Sequence, residues 1–196
     1  GRGFGWPDGS PAFAGGVLRA IDERHNHASV PVRLTTYDEL TGLPNRLRLK
    51  ESLTDAMIAS QRGRQNSAFL LIAVDNLALI NDAFGFDVAD EVIVSVGERL
   101  RSLARRGDSL GRYAGNKFGL VLHNCNEERL GGVCERLLAE VRDKVVMTAR
   151  GPVAVTVSAG SIALPGHASS VDQALARAEE ALISAKQRLR DSHVVY

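Results

Sequence analysis

The order of hydrophobic patterns along the chain predicts an α/β sandwich, with helices packed on a mixed sheet. Three observations carry this reading. From Ala68 to Asp75 the chain is a continuous apolar run closed by the acid, of strand length, the pattern of a strand buried on both faces. Val88, Val92, Ile93, Val96, Leu100 and Leu103 repeat at helical period and make one amphipathic face. Ser109 to Tyr113 and Lys117 to His123 read as two strands joined by a short turn.

In chain order, residues 1 to 26 hold Gly- and Pro-rich turns around Trp6 to Pro11, then the β-prone segment Ala14 to Ile21, and read as a hairpin. Its Asp8-Gly9-Ser10-Pro11 turn and closing strand resemble the last two strands of a PAS sensor domain. Twenty-six residues cannot bury such a core alone, so the segment reads as a remnant. Residues 27–36 include Pro31, show no period and read as a linker. The main domain is expected over residues 37–196. From Asp38, Leu40, Leu43, Leu47, Leu49, Leu53, Met57 and Ile58 form a helical stripe ending near Gly63. After the central strand, the amphipathic helix and the hairpin, a helix is expected from about Asn126 to Val146. A strand from Val153 to Ile162, a helix from Val171 to Leu189 and an edge strand at Val194 to Tyr196 complete the set.

Composition narrows the function classes. The chain has 196 residues, 44% of them hydrophobic, enough for one domain with a true core plus a short appendage. Its 24 basic and 23 acidic residues give a net charge of +1. That balance does not suit the long phosphate tracts of DNA or an anionic membrane, while a small, locally recognised anion remains open. No apolar run approaches the ~20 residues of a membrane span. The chain begins without Met and has no basic-then-apolar leader, so it reads as a fragment of a larger protein. Cys125 and Cys134 form no Cys-x-x-Cys, which fits a reduced, cytoplasmic setting. His25, His27, His123, His167 and His193 show no metal-ligating spacing.

Five segments in order resemble the GGDEF family of diguanylate cyclases. Asp38-Glu39-Leu40-Thr41-Gly42-Leu43-Pro44-Asn45-Arg46 is similar to its D-x-L-T-G-L-x-N-R opening, and Ile80 to Asp90 resembles its nucleotide-binding helix-turn-helix. Ala114-Gly115-Asn116-Lys117-Phe118 looks like the signature turn with both acids lost. Val155 to Gly160 resembles the V-T-V-S-x-G strand, and Ala176 to Lys186 resembles the A-D-x-A-L-Y-x-A-K helix. The resemblance implies the nucleotidyl-cyclase, palm-like fold, whose central sheet is mixed and mostly antiparallel. It also implies a bacterial cytoplasm and a place in cyclic di-GMP signalling.

Joining two GTP molecules needs Mg²⁺ to neutralise developing charge on phosphate, and hard cations want carboxylates. By resemblance, one metal ligand falls at Ala73, with Asp75 matching the second acid of a D-x-D. The other falls at Asn116, and the next acid is replaced by Lys117. A phosphate-contacting lysine falls at Ala78. The expectation is therefore no catalysis, no catalytic residues and weak or absent Mg²⁺ binding. An Asn-Lys pair at a tight, exposed turn also needs no function at all.

Some recognition groups remain. Asn81 and Asp90 match guanine-contacting positions, and an amide with a carboxylate suits a guanine edge. Arg112 and Lys186 match phosphate-facing positions. As plain structure, Asn81 could end a helix near Gly85, Asp90 could cap the Val92 helix, and Lys186 could be a solvated charge. Arg105-Arg106-Gly107-Asp108 resembles the R-x-x-D product-inhibition motif, with Arg136 on the following helix as a further arginine. A guanidinium can grip phosphate or guanine, though Arg105 could equally serve the end of a helix and Asp108 a turn.

These residues leave three readings. The preferred one is a non-catalytic module that binds cyclic di-GMP at Arg105 and Asp108 and regulates a neighbouring EAL phosphodiesterase domain, a partner implied by resemblance. The others are a GTP sensor without turnover, in which Lys117 neutralises a phosphate, and a structural linker that forms homodimers.

Overall fold

The computed structural model describes residues 36–196. The expected hairpin at 1–26 and the linker, apart from Thr36, lie outside the described residues. The elements run α1 (Arg46–Gln61), β1 (Ser67–Val74), α2 (Leu77–Phe84), α3 (Phe86–Leu103), β2 (Ser109–Ala114), β3 (Lys117–His123) and α4 (Glu127–Arg142). They continue with β4 (Val146–Thr148), β5 (Gly151–Val153), β6 (Val157–Leu164), α5 (Val171–Arg188) and β7 (His193–Val195). The main sheet has the order β2-β3-β1-β6-β7; only the β6–β7 pair is parallel. The α/β sandwich with a mixed, mostly antiparallel sheet is as expected.

All eight residues of β1 are buried, because the strand lies at the centre of the sheet with helices on both faces. Ala68, Leu70, Ile72 and Val74 join the core beneath α3 and α4, with Val92, Val96, Leu100, Leu130 and Leu137. Phe69, Leu71 and Ala73 face the other way, toward Leu49, Leu53 and Met57 of α1 and Ala178 and Leu182 of α5. The period of two sorts one strand into two cores. Side-chain caps start three helices: Asn45 accepts from Arg48 N–H, Asn126 from Arg129 N–H and Ser170 from Gln173 N–H.

Two sequence expectations need correction. The first helix begins at Arg46, not Asp38. Residues 38–45 are turns, with Gly42 at φ +64° and a bridge between Tyr37 and Pro44. Asp38 closes the turn by accepting from the Thr41 N–H at 2.9 Å and hydroxyl at 2.7 Å. Leu43 is nevertheless buried, so its apolar character came from loop packing rather than from a helix. Second, the segment read as the end of one helix and the start of a strand is a separate two-stranded hairpin, β4–β5, and β6 begins only at Val157.

Arg112 holds Asp38 through Nη1, at 3.0 and 3.1 Å from the two carboxylate oxygens, and donates to the Gly115 carbonyl through Nε and Nη2. Burial pushes the Asp38 carboxyl up, but the Thr41 hydroxyl and N–H and the Arg112 guanidinium outweigh it and hold it below the usual 3.8. A depressed folded pKa means that this stabilisation is complete above the unfolded value and is lost as pH falls through the folded one. Asp38→Asn is expected to cost about 1–2 kcal/mol in denaturant unfolding at neutral pH. The gap from wild type should close only below about pH 3.8.

Candidate functional site

The tip of the sheet is where β1 ends, the β2–β3 hairpin turns and α5 passes. Ala73 stands directly across from Lys117 on β3 and from Ser158 on β6. Asn116 fastens the turn to β1: its backbone carbonyl accepts from Val74 N–H at 2.9 Å, and its side-chain Nδ2 donates to the Val74 carbonyl at 2.8 Å. An ionised aspartate could not donate that second bond. Lys117 Nζ pairs with Glu179 on α5. Asp75 is 3% exposed. Its carboxylate accepts from the hydroxyls of Thr156 at 2.8 Å and Ser158 at 2.9 Å and from Asp191 N–H at 3.1 Å. It ties the end of β1 to β6 and to the segment leading into β7.

Burial lowers the pKa of the Lys186 ammonium, with Asp75 opposing and Lys117 reinforcing the shift. Two ammonium groups therefore share this tip, one paired with Glu179. The donor set here is poor in free carboxylate: position 73 has no ligand atom, the Asn116 amide is bonded to backbone, and Asp75 is bonded on both oxygens. Among the described residues, no three His, Cys, Asp or Glu side chains gather to hold a metal ion.

The guanine candidates are not brought into one described groove. Asn81, on α2, has a buried Oδ1 without a hydrogen-bond partner among the described residues. Asp90 lies within α3 and does not cap it, since the helix starts at Phe86 after Gly85. It lines a shallow groove with Asp87, Glu91, Glu98, Leu40 and Met147, among other residues, and Asn81 is not part of that wall. Phe86 is 77% exposed at the start of α3. Arg112 is tied to Asp38 and to the turn itself.

The R-x-x-D residues converge. A cleft of about 490 Å³ between the end of α3, strand β3 and helix α4 is lined by Arg105, Asp108 and Arg136 together, with Leu120, Leu122 and Leu137 on its apolar side. Its volume lies within the ~300–1,000 Å³ range of small-molecule pockets. Asp108 shapes it: Oδ2 accepts from Arg105 N–H at 2.9 Å and Oδ1 from His123 N–H at 3.1 Å. The carboxylate thus fastens the loop carrying Arg105 to the end of β3. Cys125 borders the cleft, and burial, then Asp108, push its thiol up, so it is a neutral group there. Arg129 is a third guanidinium in the wall. Among the described residues, Arg105, Arg129 and Arg136 form no ion pair and no side-chain hydrogen bond.

Arg129 was not singled out in the sequence. The signal was present: residues 129 and 136 are two helical turns apart on one face of α4, while Leu130, Cys134, Leu137 and Val141 are buried. Glu179 was also missed as the partner of Lys117, because only the packing of α5 over the sheet brings the two together.

The family profile described as "Diguanylate cyclase, GGDEF domain" matches residues 35–192. The chain belongs to the GGDEF family. It is 26% identical over 165 residues to the bifunctional diguanylate cyclase/cyclic di-GMP phosphodiesterase MucR of Pseudomonas aeruginosa, covering 84% of this chain and 24% of that protein. It is 29% identical over 169 residues to the diguanylate cyclase DgcP of Escherichia coli, covering 86% of this chain and 50% of that one. The coiled coil and GGDEF domain of DgcB from Caulobacter crescentus, solved in complex with cyclic di-GMP, superposes with a TM-score of 0.86 at 22% identity, over 94% of this chain and 98% of that one. That likeness establishes the fold. The chain spans half or less of the length of these two curated relatives. It is a GGDEF domain in cyclic di-GMP signalling, and no helix among its described residues is long and apolar enough to cross a membrane.

Proposed function

We propose that this GGDEF domain is a non-catalytic receptor that binds cyclic di-GMP in the cleft of Arg105, Asp108 and Arg136. The observation that carries the reading is the gathering, around a cleft with an apolar wall, of three guanidinium groups that are unpaired among the described residues. Guanidinium forks suit phosphate oxygens and the guanine Hoogsteen edge, and the leucine wall suits the flat face of a base. The loss of carboxylates at positions 73, 116 and 117, and the engagement of Asp75 with Thr156, Ser158 and Asp191, support the absence of turnover and of tight Mg²⁺ binding. In the full-length bacterial protein, the domain would report cyclic di-GMP to a neighbouring phosphodiesterase of the EAL type. MucR, a bifunctional diguanylate cyclase/cyclic di-GMP phosphodiesterase, motivates that partner.

Titration calorimetry without Mg²⁺ tests the binding. Wild type is expected to bind cyclic di-GMP at micromolar concentration, and Arg105→Ala and Arg136→Ala to weaken it by about 10-fold or more each, the scale of one charge-assisted contact. Silence of the wild type would refute the receptor reading.

A second reading is favoured by one feature, the Asn81 Oδ1, which has no partner among the described residues. A buried acceptor without a donor invites one, and a guanine N1–H or amine would serve. On this reading the tip holds GTP without turnover, and Asn81→Ala, not Arg105→Ala, removes the heat of GTP binding. If neither nucleotide binds, the domain is a structural linker.

A further inference from the structure

The arginine cleft continues beyond the residues the R-x-x-D pattern accounts for. A second hollow of about 380 Å³, lined by Asn66, Asn124, Asn126, Glu128 and Arg129, shares Asn124, Glu128 and Arg129 with the main cleft. The two form one trough with Arg129 at its waist. Between Arg129 and Arg136, the floor of the trough is Gly132 and Val133. A Cβ at position 132 would meet nothing within 4 Å, so the missing side chain leaves open space above the helix. Arg129 and Arg136 flank this bare stretch, their Cα atoms about 10 Å apart along the axis.

Each part of the trough suits one part of a ligand. A bare helical surface between two guanidinium groups that are unpaired among the described residues accepts a flat ring, on which guanidinium planes stack. The side-chain amides of Asn66 and Asn124 make no hydrogen bond among the described residues. Amides offer a donor and an acceptor together, the complement of a purine's polar edge.

We propose that Gly132 and Arg129 form the seat for one purine base of the bound dinucleotide, with Asn66 and Asn124 reading its edge. The proposal rests on the receptor reading above and adds to it the residues that set base preference. A larger side chain at position 132 would fill the seat without disturbing the fold, because it projects into open space and because glycine is a poor residue for a helix interior. In a helix, a long side chain leans toward the preceding turn, here toward Arg129.

The test is calorimetry of cyclic di-GMP and cyclic di-AMP against wild type, Arg105→Ala, Gly132→Leu and the double variant Asn66→Ala/Asn124→Ala, with a thermal melt of each. Gly132→Leu is expected to melt no lower than wild type, with a rise of about 2 °C, and to bind cyclic di-GMP at least 30-fold more weakly. The double variant is expected to lower the preference for cyclic di-GMP over cyclic di-AMP at least 10-fold. If wild type and Arg105→Ala behave as the receptor reading requires while Gly132→Leu binds within threefold of wild type, or the double variant keeps the wild-type preference, the seat is overturned and the receptor stands. If wild type binds no cyclic di-GMP, both fall together.

Discussion

Given GTP and Mg²⁺, this domain is expected to release no detectable cyclic di-GMP, at least ~10⁴-fold below a working diguanylate cyclase, since groups that act as a unit fail as a unit. The deficit has three parts at the tip of the sheet. Position 73 carries a methyl group where a carboxylate would hold the cation, and it stands across the strand pair from Lys117. Lys117 brings an ammonium that repels a divalent cation. Asn116 donates to the Val74 carbonyl, so restoring an aspartate there would set a carboxylate oxygen against a carbonyl oxygen. Lys117→Glu alone should therefore recover nothing. Chromatography of the nucleotide products decides the matter, and turnover by the wild type would contradict this account.

Gly160→Ala is expected to produce the largest loss of stability of any substitution considered, about 3 kcal/mol or more in denaturant unfolding. Gly160 is on β6, beneath α5. A Cβ there would lie 2.2 Å from both the Ala178 carbonyl oxygen and the Leu182 backbone nitrogen. These are backbone atoms, so no rotamer change relieves the clash and the helix must lift off the sheet. That movement would open the core around Phe69, Ile162 and Leu182 and separate Glu179 from Lys117. A marginal domain with ~5–15 kcal/mol of stability would be visibly weakened. An unchanged unfolding midpoint would show that α5 packs less closely than these distances require.

Legibility in the sequence followed the physics of each segment. Strand β1 can be read because the seven apolar residues from Ala68 to Val74 have few solutions other than the middle of a covered sheet. The first helix was read too long because Leu40 and Leu43 happened to fit its period. Leu43 is buried and Leu40 half-buried by a turn braced by Asp38 and Arg112, which the apolar pattern does not encode. The β4–β5 hairpin escaped because three-residue strands are too short to show a period. At the site, Arg105, Asp108 and Arg136 could be located by resemblance, and the fold brings them to one cleft. The resemblance does not reveal that the Asp108 carboxylate bonds to two backbone N–H groups, or that Arg112 is held by Asp38. The His123 contact and the Asp38–Arg112 pair join segments apart in sequence, while the Arg105 contact depends on the turn geometry of residues 105–108.

The measurement that tests the central claim most directly is a map of backbone amide chemical shifts during titration of the isotopically labelled domain with cyclic di-GMP. The account predicts that saturable changes concentrate at residues 105–108, 120–125 and 129–137, around the arginine cleft, and leave 81–90 and 114–117 nearly still. Changes concentrated instead at Asn81, Asp90 and the turn at Gly115 and Asn116 would place the ligand at the tip of the sheet and contradict it.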